Sequence, residues 1–103
     1  MWAQMITMRL KAGKDGELPR LFEQMRAAEM PGSGLVRSLS MRDQNDPSRF
    51  YTLVVFESEE KARAREQDAR REEALAAARA TMAEIFEGPP EFVDLTVVND
   101  VAP

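Results

Sequence analysis

One tyrosine and one arginine are the residues of this 103-residue chain best suited to act on a small molecule. Tyr51 lies in an apolar, strand-like run, where its phenol is able to hydrogen-bond a phenolic substrate or donate a proton; the competing reading is an amphipathic aromatic in the core or at an interface. Arg65 follows on a helical stretch, placed to steer an anionic or enolate substrate into a cavity, or else to pair with glutamates in solvent. Ser38 and Ser40 share one face of a strand and leave room for a ligand, but with no adjacent base neither is an activated nucleophile. Asp43, Asn45 and Asp46 superficially suggest a calcium loop; the run lacks the glycine and the distal glutamate of such a loop and reads as turn chemistry. The chain has no His and no Cys. Imidazole bases, thiol nucleophiles, Cys/His zinc sites, histidine-ligated haem and disulfides are thereby removed. Neighbouring acids such as Glu72 and Glu73 diverge on a helix, so paired-carboxylate catalysis is not indicated.

The elements that must position these groups form one domain spanning residues 1–103, since a chain of this length holds one core. Hydrophobic residues at 44% and charged residues at 31% are ordinary for a globular fold, and a formal net charge of -4 disfavours nucleic acid and anionic lipid as partners. No apolar run approaches a membrane span, and the N-terminus lacks a basic region followed by an apolar core, so the expected location is cytoplasmic.

Residues 2–11 read as a strand with Ile, Met and Leu on both alternation phases, as in a strand covered on two sides. A turn over 11–16 leads into an amphipathic helix in which Leu18, Leu21, Phe22, Met25 and Ala28 recur at spacings of three and four, with Pro19 at its start and Pro31-Gly32-Ser33-Gly34 stopping it. Leu35 to Met41 and Phe50 to Phe56 form an antiparallel hairpin across the turn-rich run 42–48. Ser58 is the expected N-cap of a helical region reaching Phe86, with a bend near residues 67–70. Glu59/Arg63 and Glu66/Arg70 are spaced for ion pairing on its early, solvated half. Gly88-Pro89-Pro90 is expected to end that helix, and Phe92 to Val98 to form the last strand.

The order βαββαβ predicts an α+β, ferredoxin-like fold in which both crossover helices lie on one face of a four-stranded antiparallel sheet. The opposite face is not polar: both phases of 50–56 are apolar, and 92–98 offers Val93, Leu95 and Val97 against Phe92 and Val98. Leaving several such side chains in water would forfeit several kcal/mol at roughly 25 cal/mol per Å². A second copy packed sheet against sheet is the expected partner, with an interface on the order of 2,000 Å².

With its elements placed, the chain resembles the antibiotic biosynthesis monooxygenase type of domain in the dimeric α/β-barrel superfamily. The residues that carry the resemblance are Lys11-Ala12-Gly13-Lys14-Asp15-Gly16-Glu17-Leu18, Pro31-Gly32, Arg42-Asp43, Asp46-Pro47-Ser48-Arg49-Phe50 and Val55-Phe56-Glu57-Ser58-Glu59-Glu60 followed by Ala62. The resemblance implies a dimer and a pocket between sheet and helices. In the quinone-forming branch, a deprotonated substrate there reacts with dioxygen, helped by Asn, Trp, Tyr and Arg side chains. In the haem-degrading branch the resemblance places Ile6 at a catalytic Asn, Arg65 at a Trp and Leu75 at the iron-ligating His. All three are replaced, which argues against histidine-ligated haem degradation. Phe56 stands where a Trp is common, and Gln4, on the same phase as Ile6, is placed to hydrogen-bond a substrate carbonyl.

The resemblance therefore implies a monooxygenase-like homodimer that needs no cofactor or metal and acts on a small aromatic or polyketide-type molecule. Its candidate site comprises Tyr51 and Arg65 for catalysis and Gln4, Ile6, Ser38, Phe56 and Leu75 for binding. The alternative is a non-catalytic small-molecule-binding or structural homodimer of the same fold.

Overall fold

The first strand finds strand partners along both of its edges. In the computed structural model, which describes all 103 residues, β1 (Trp2–Leu10) lies between β3 (Arg49–Phe56) and β4 (Phe86–Thr96), and β2 (Leu35–Arg42) extends the sheet beyond β3. All three pairings are antiparallel, in the order β2-β3-β1-β4, which is the ferredoxin-like arrangement. A single 3-10 turn (Asp15–Glu17) precedes α1 (Leu18–Ala28). The second crossover comprises α2 (Glu59–Glu66), α3 (Ala69–Ala74) and α4 (Ala76–Ile85).

Local chemistry accounts for the boundaries. Ser58 caps α2, its hydroxyl accepting from the Lys61 amide at 3.2 Å. The expected bend falls at Gln67 and Asp68, where Asp68 caps α3 by accepting from the Arg70 amide at 2.9 Å. Arg70 also folds back onto Asp68 instead of reaching Glu66, whereas the expected Arg63–Glu59 pair forms at 3.6 Å. α3 and α4 are nearly continuous, because Leu75 and Arg79 keep their four-residue amide bonds at 2.8 and 2.9 Å. In the hairpin turn Asp43 accepts from the Asn45 amide and Asp46 from Ser48, the work of a turn. Gly34 enters β2 with φ +86°, and a Cβ there would stand 2.7 Å from Lys61 Cβ, so the chain passes beneath α2 only as glycine.

One expectation is overturned. The helix ends at Ile85 and β4 begins at once with Phe86, so Gly88-Pro89-Pro90 lies inside the strand instead of ending a helix. β4 is an edge strand, where proline amides are not needed by a second neighbour. Its register explains the sequence: Thr7 pairs with Glu91 and Arg9 with Glu87, so three residues of β4 bulge opposite Met8 alone.

Helices cover one face only. On it lie the even positions of β1 and β3, with Phe50 buried among Leu10, Leu18, Leu21, Leu75, Ile85 and Phe86 in the main cluster. Phe50 stacks near Phe22 and Phe86, at centroid separations of 6.1 and 5.9 Å. A smaller cluster of Trp2, Phe56 and Ala62 closes the other end of the sheet. The odd positions, among them Met5, Tyr51, Leu53, Val55, Leu39, Met41, Val93 and Leu95, form an apolar face that carries no helix.

Candidate functional site

Between the two apolar clusters the helix side of the sheet is incompletely covered. Gln4, Ile6 and Met8 are only half-buried although β1 is a central strand. Their partners on β4 are more open still: Phe92, opposite Ile6, is 57% exposed, and Asp94 stands opposite Gln4. The result is a trough floored by β1 and β4. At the Leu10 end it widens into an open groove of about 580 Å³ whose walls include Met8, Met82, Phe86, Gly88 and Pro90. The bulge makes this groove, because three residues opposite one push β4 outward, and Gly88 bends the strand with φ +67°.

At the opposite end the trough is polar. The Gln4 side-chain amide donates to Asp94 Oδ1 at 2.9 Å, and Arg63 Nη2 of α2 donates to Asp94 Oδ2 at 2.9 Å. The Gln4 hydrogen bond chiefly, opposed by desolvation and assisted by Arg63, holds the Asp94 carboxyl below its ordinary value. Arg63 also lies 5.0 Å from the centroid of Trp2.

Above the seam between the clusters, Arg65 lies 5.1 Å from the Phe56 ring centroid and grips Glu29 through Nε at 3.3 Å and Nη2 at 2.6 Å. Ser33 Oγ donates to the same carboxylate at 2.6 Å. Burial raises the Glu29 pKa, but the hydrogen bonds from Arg65 and Ser33 and the charges of Arg65 and Arg71 outweigh it, and the net shift is downward.

The residues singled out from sequence separate accordingly. Gln4, Ile6, Ser38 and Phe56 all belong to the helix side, and Leu75 is buried in the main cluster above it. Ser38 is exposed on the outer strand β2, and the neighbouring Ser40 is 3.2 Å from the Thr52 hydroxyl. Arg65 reaches the seam with Nε and Nη2 committed to Glu29, which fixes its guanidinium there. Tyr51 does not join them. It pairs with Thr7 and Met41 on the face without helices, with Arg49 6.0 Å from its ring centroid, which corrects the expectation of a phenol in the cavity. Phe86 and Pro90 as groove walls were missed; glycine and proline within a strand pattern are the available signal of a bulge.

The family model described as antibiotic biosynthesis monooxygenase matches residues 1–81. No curated protein matches the sequence. Among solved structures, a mutant of MhuD with two manganese protoporphyrin IX molecules bound per active site superposes with a TM-score of 0.80 at 21% identity, covering 100% of both chains. A mutant of SnoaB, a cofactor-independent oxygenase from Streptomyces nogalater, superposes with a TM-score of 0.70 at 14% identity, covering 99% of this chain and 97% of that one. A protein of unknown function from Nitrosomonas europaea gives 0.73 at 19% identity, covering 99% and 93%. At these identities the structures share the fold.

Proposed function

Because the chain belongs to the antibiotic biosynthesis monooxygenase family, we propose that it binds a small aromatic or polyketide-type molecule in the trough over β1 and β4 and oxidises it with dioxygen, without metal or flavin. The observation that carries this reading is the open groove of about 580 Å³ between Met8, Met82, Phe86 and Pro90, continuous along one strand face with Ile6 and Gln4. Ile6 supplies apolar surface for a ring system and Gln4 a polar group at the margin, while Leu75 and Phe56 are buried in the clusters that flank the trough, Ser38 lies two strands away on β2, and Arg65 holds fixed charge beside the seam. For an anthrone-type substrate, the deprotonated ring carbon reduces dioxygen. One oxygen atom stays on that carbon and the other leaves as water with the carbon's two hydrogens.

The functional unit we propose is a homodimer, each copy covering the other's open sheet face; Tyr51 belongs to that face. Oxygen consumption with a panel of dihydroxyanthracene-type substrates tests the activity. Uptake is expected with the native protein, is lost in Ile6→Trp, which fills the floor of the trough, and persists in Tyr51→Phe. A specific observation favours a second reading: the side chain at 6, on the trough floor, is aliphatic and offers nothing to move a proton, and that at 75 is an aliphatic core residue. Binding of the panel without any oxygen uptake selects that reading, a small-molecule-binding or structural dimer without catalysis.

A further inference from the structure

On the helix side of the sheet the trough floor changes chemistry from one strand to the next. Between the two apolar clusters a single row of side chains crosses all four strands as Ser40, Thr52, Ile6 and Phe92. Alternation puts them on one face, and none is buried. Neighbouring strands stand about 4.8 Å apart, so Thr52 borders Ile6 at that spacing and the whole row runs roughly 14 Å. Its β2 and β3 members are hydroxyls, its β1 and β4 members apolar. A face that only had to pack helices would be apolar throughout, as this one is at Trp2, Leu10, Phe50 and Phe56.

The two hydroxyls act as one unit. Ser40 Oγ and Thr52 Oγ1 are 3.2 Å apart, so one donates to the other. A hydroxyl carries one proton and two acceptor lone pairs, which leaves the pair a further proton to donate and lone pairs that accept. Ser40 thereby holds the Thr52 hydroxyl beside Ile6. The row itself carries no charge, and charged side chains in the adjoining rows are committed: Asp94 to Gln4 and Arg63 at 2.9 Å each, and Arg42 to Asp15 at 3.1 Å. A ligand lying across the strands meets a neutral hydrogen-bonding pair at one end of the row and apolar surface from Ile6 and Phe92 at the other.

We propose that Thr52 sets the specificity of the trough: its hydroxyl bonds a neutral hydroxyl or carbonyl oxygen at one end of the ligand, whose ring system lies over Ile6 and Phe92, and Ser40 positions that hydroxyl. The proposal rests on the trough being the binding site and adds which end of its ligand carries oxygen. Fluorescence titration with two probes of one shape, 2-(hydroxymethyl)anthracene and 2-ethylanthracene, tests both levels separately. Thr52→Val keeps the branched shape and strand preference of threonine. It is expected to lower the preference for the alcohol, read as the ratio of the two dissociation constants, about fivefold with affinity for the ethyl probe retained. Ser40→Ala is expected to lower it about twofold. A hydroxyl pair that served only to join β2 to β3 would shift both probes together, and that result, like an unchanged ratio in Thr52→Val, overturns the proposal. In the native protein alone, nuclear Overhauser contacts are expected from the hydroxymethyl protons to the Thr52 methyl and from the far ring to Phe92. The opposite placement overturns the proposal without any variant having to fold. Failure of both probes to bind overturns the trough itself.

Discussion

The Arg65–Glu29 pair is the residue-scale contact whose loss has the most readable consequences. Its side chains retain only 11% and 27% of their exposure, so the pair is less screened than the many surface ion pairs. Arg65→Ala leaves Glu29 and Ser33 at the seam without their cation. Destabilisation of about 2 kcal/mol is expected, a fall in melting temperature of roughly 10 °C for a domain of this size. Acidity tests the same contact. The folded Glu29 carboxyl lies below its ordinary value of 4.5, so its contribution is fully present above that pH and is lost as pH falls through the lowered value. Acid titration of stability followed by circular dichroism is expected to show a decline below about pH 4.5 that is shallower in Glu29→Gln. Asp46, Asp68 and Asp94, held low chiefly by hydrogen bonds from Ser48, Arg70 and Gln4, act in the same direction.

At the scale of elements, two glycines separate conformational cost from steric cost. Gly88 adopts φ +67° with nothing within 4 Å of an added Cβ, so Gly88→Ala is expected to cost about 1 kcal/mol through backbone strain alone. Gly34→Ala adds a collision with Lys61 on α2, at 2.7 Å from its Cβ, and is expected to cost at least about 2 kcal/mol. Chemical denaturation of the two variants checks the ranking; equal losses would mean that α2 moves freely over the start of β2. The bulge opposite Met8 is tested through the groove it forms. A β4 shortened by two residues, restoring one-to-one pairing opposite Met8, should close the groove and abolish ligand binding while retaining strand content.

Considered as a whole molecule, a single copy buries little. Only 15 of 103 residues are buried, and the radius of gyration is 14.2 Å against about 13 Å expected for this length. Val93 and Leu39 keep 53% and 42% of their exposure on the face without helices. Such a surface is too apolar to be left in water. Sedimentation at micromolar concentration is expected at twice the chain mass of 11.6 kDa. Leu53→Lys, at the centre of that face opposite Met5 and Leu39, is expected to yield monomer or aggregate. A native protein sedimenting as a stable single subunit would contradict this assembly.

Element order, the Ser58 cap, the hairpin and the apolar character of both sheet faces were legible in the sequence, because each depends on neighbours within a few residues. Alternation likewise states that Phe50 and Tyr51 point opposite ways. It does not state which of them meets the helices, and that choice, made by packing, removed Tyr51 from the trough. Gly88-Pro89-Pro90 has one local chemistry and two uses, stopping a helix or bulging an edge strand; pairing with β1 decided between them. Arg65 and Glu29 stand 36 positions apart, so their contact exists only once α1 and α2 share one end of the sheet.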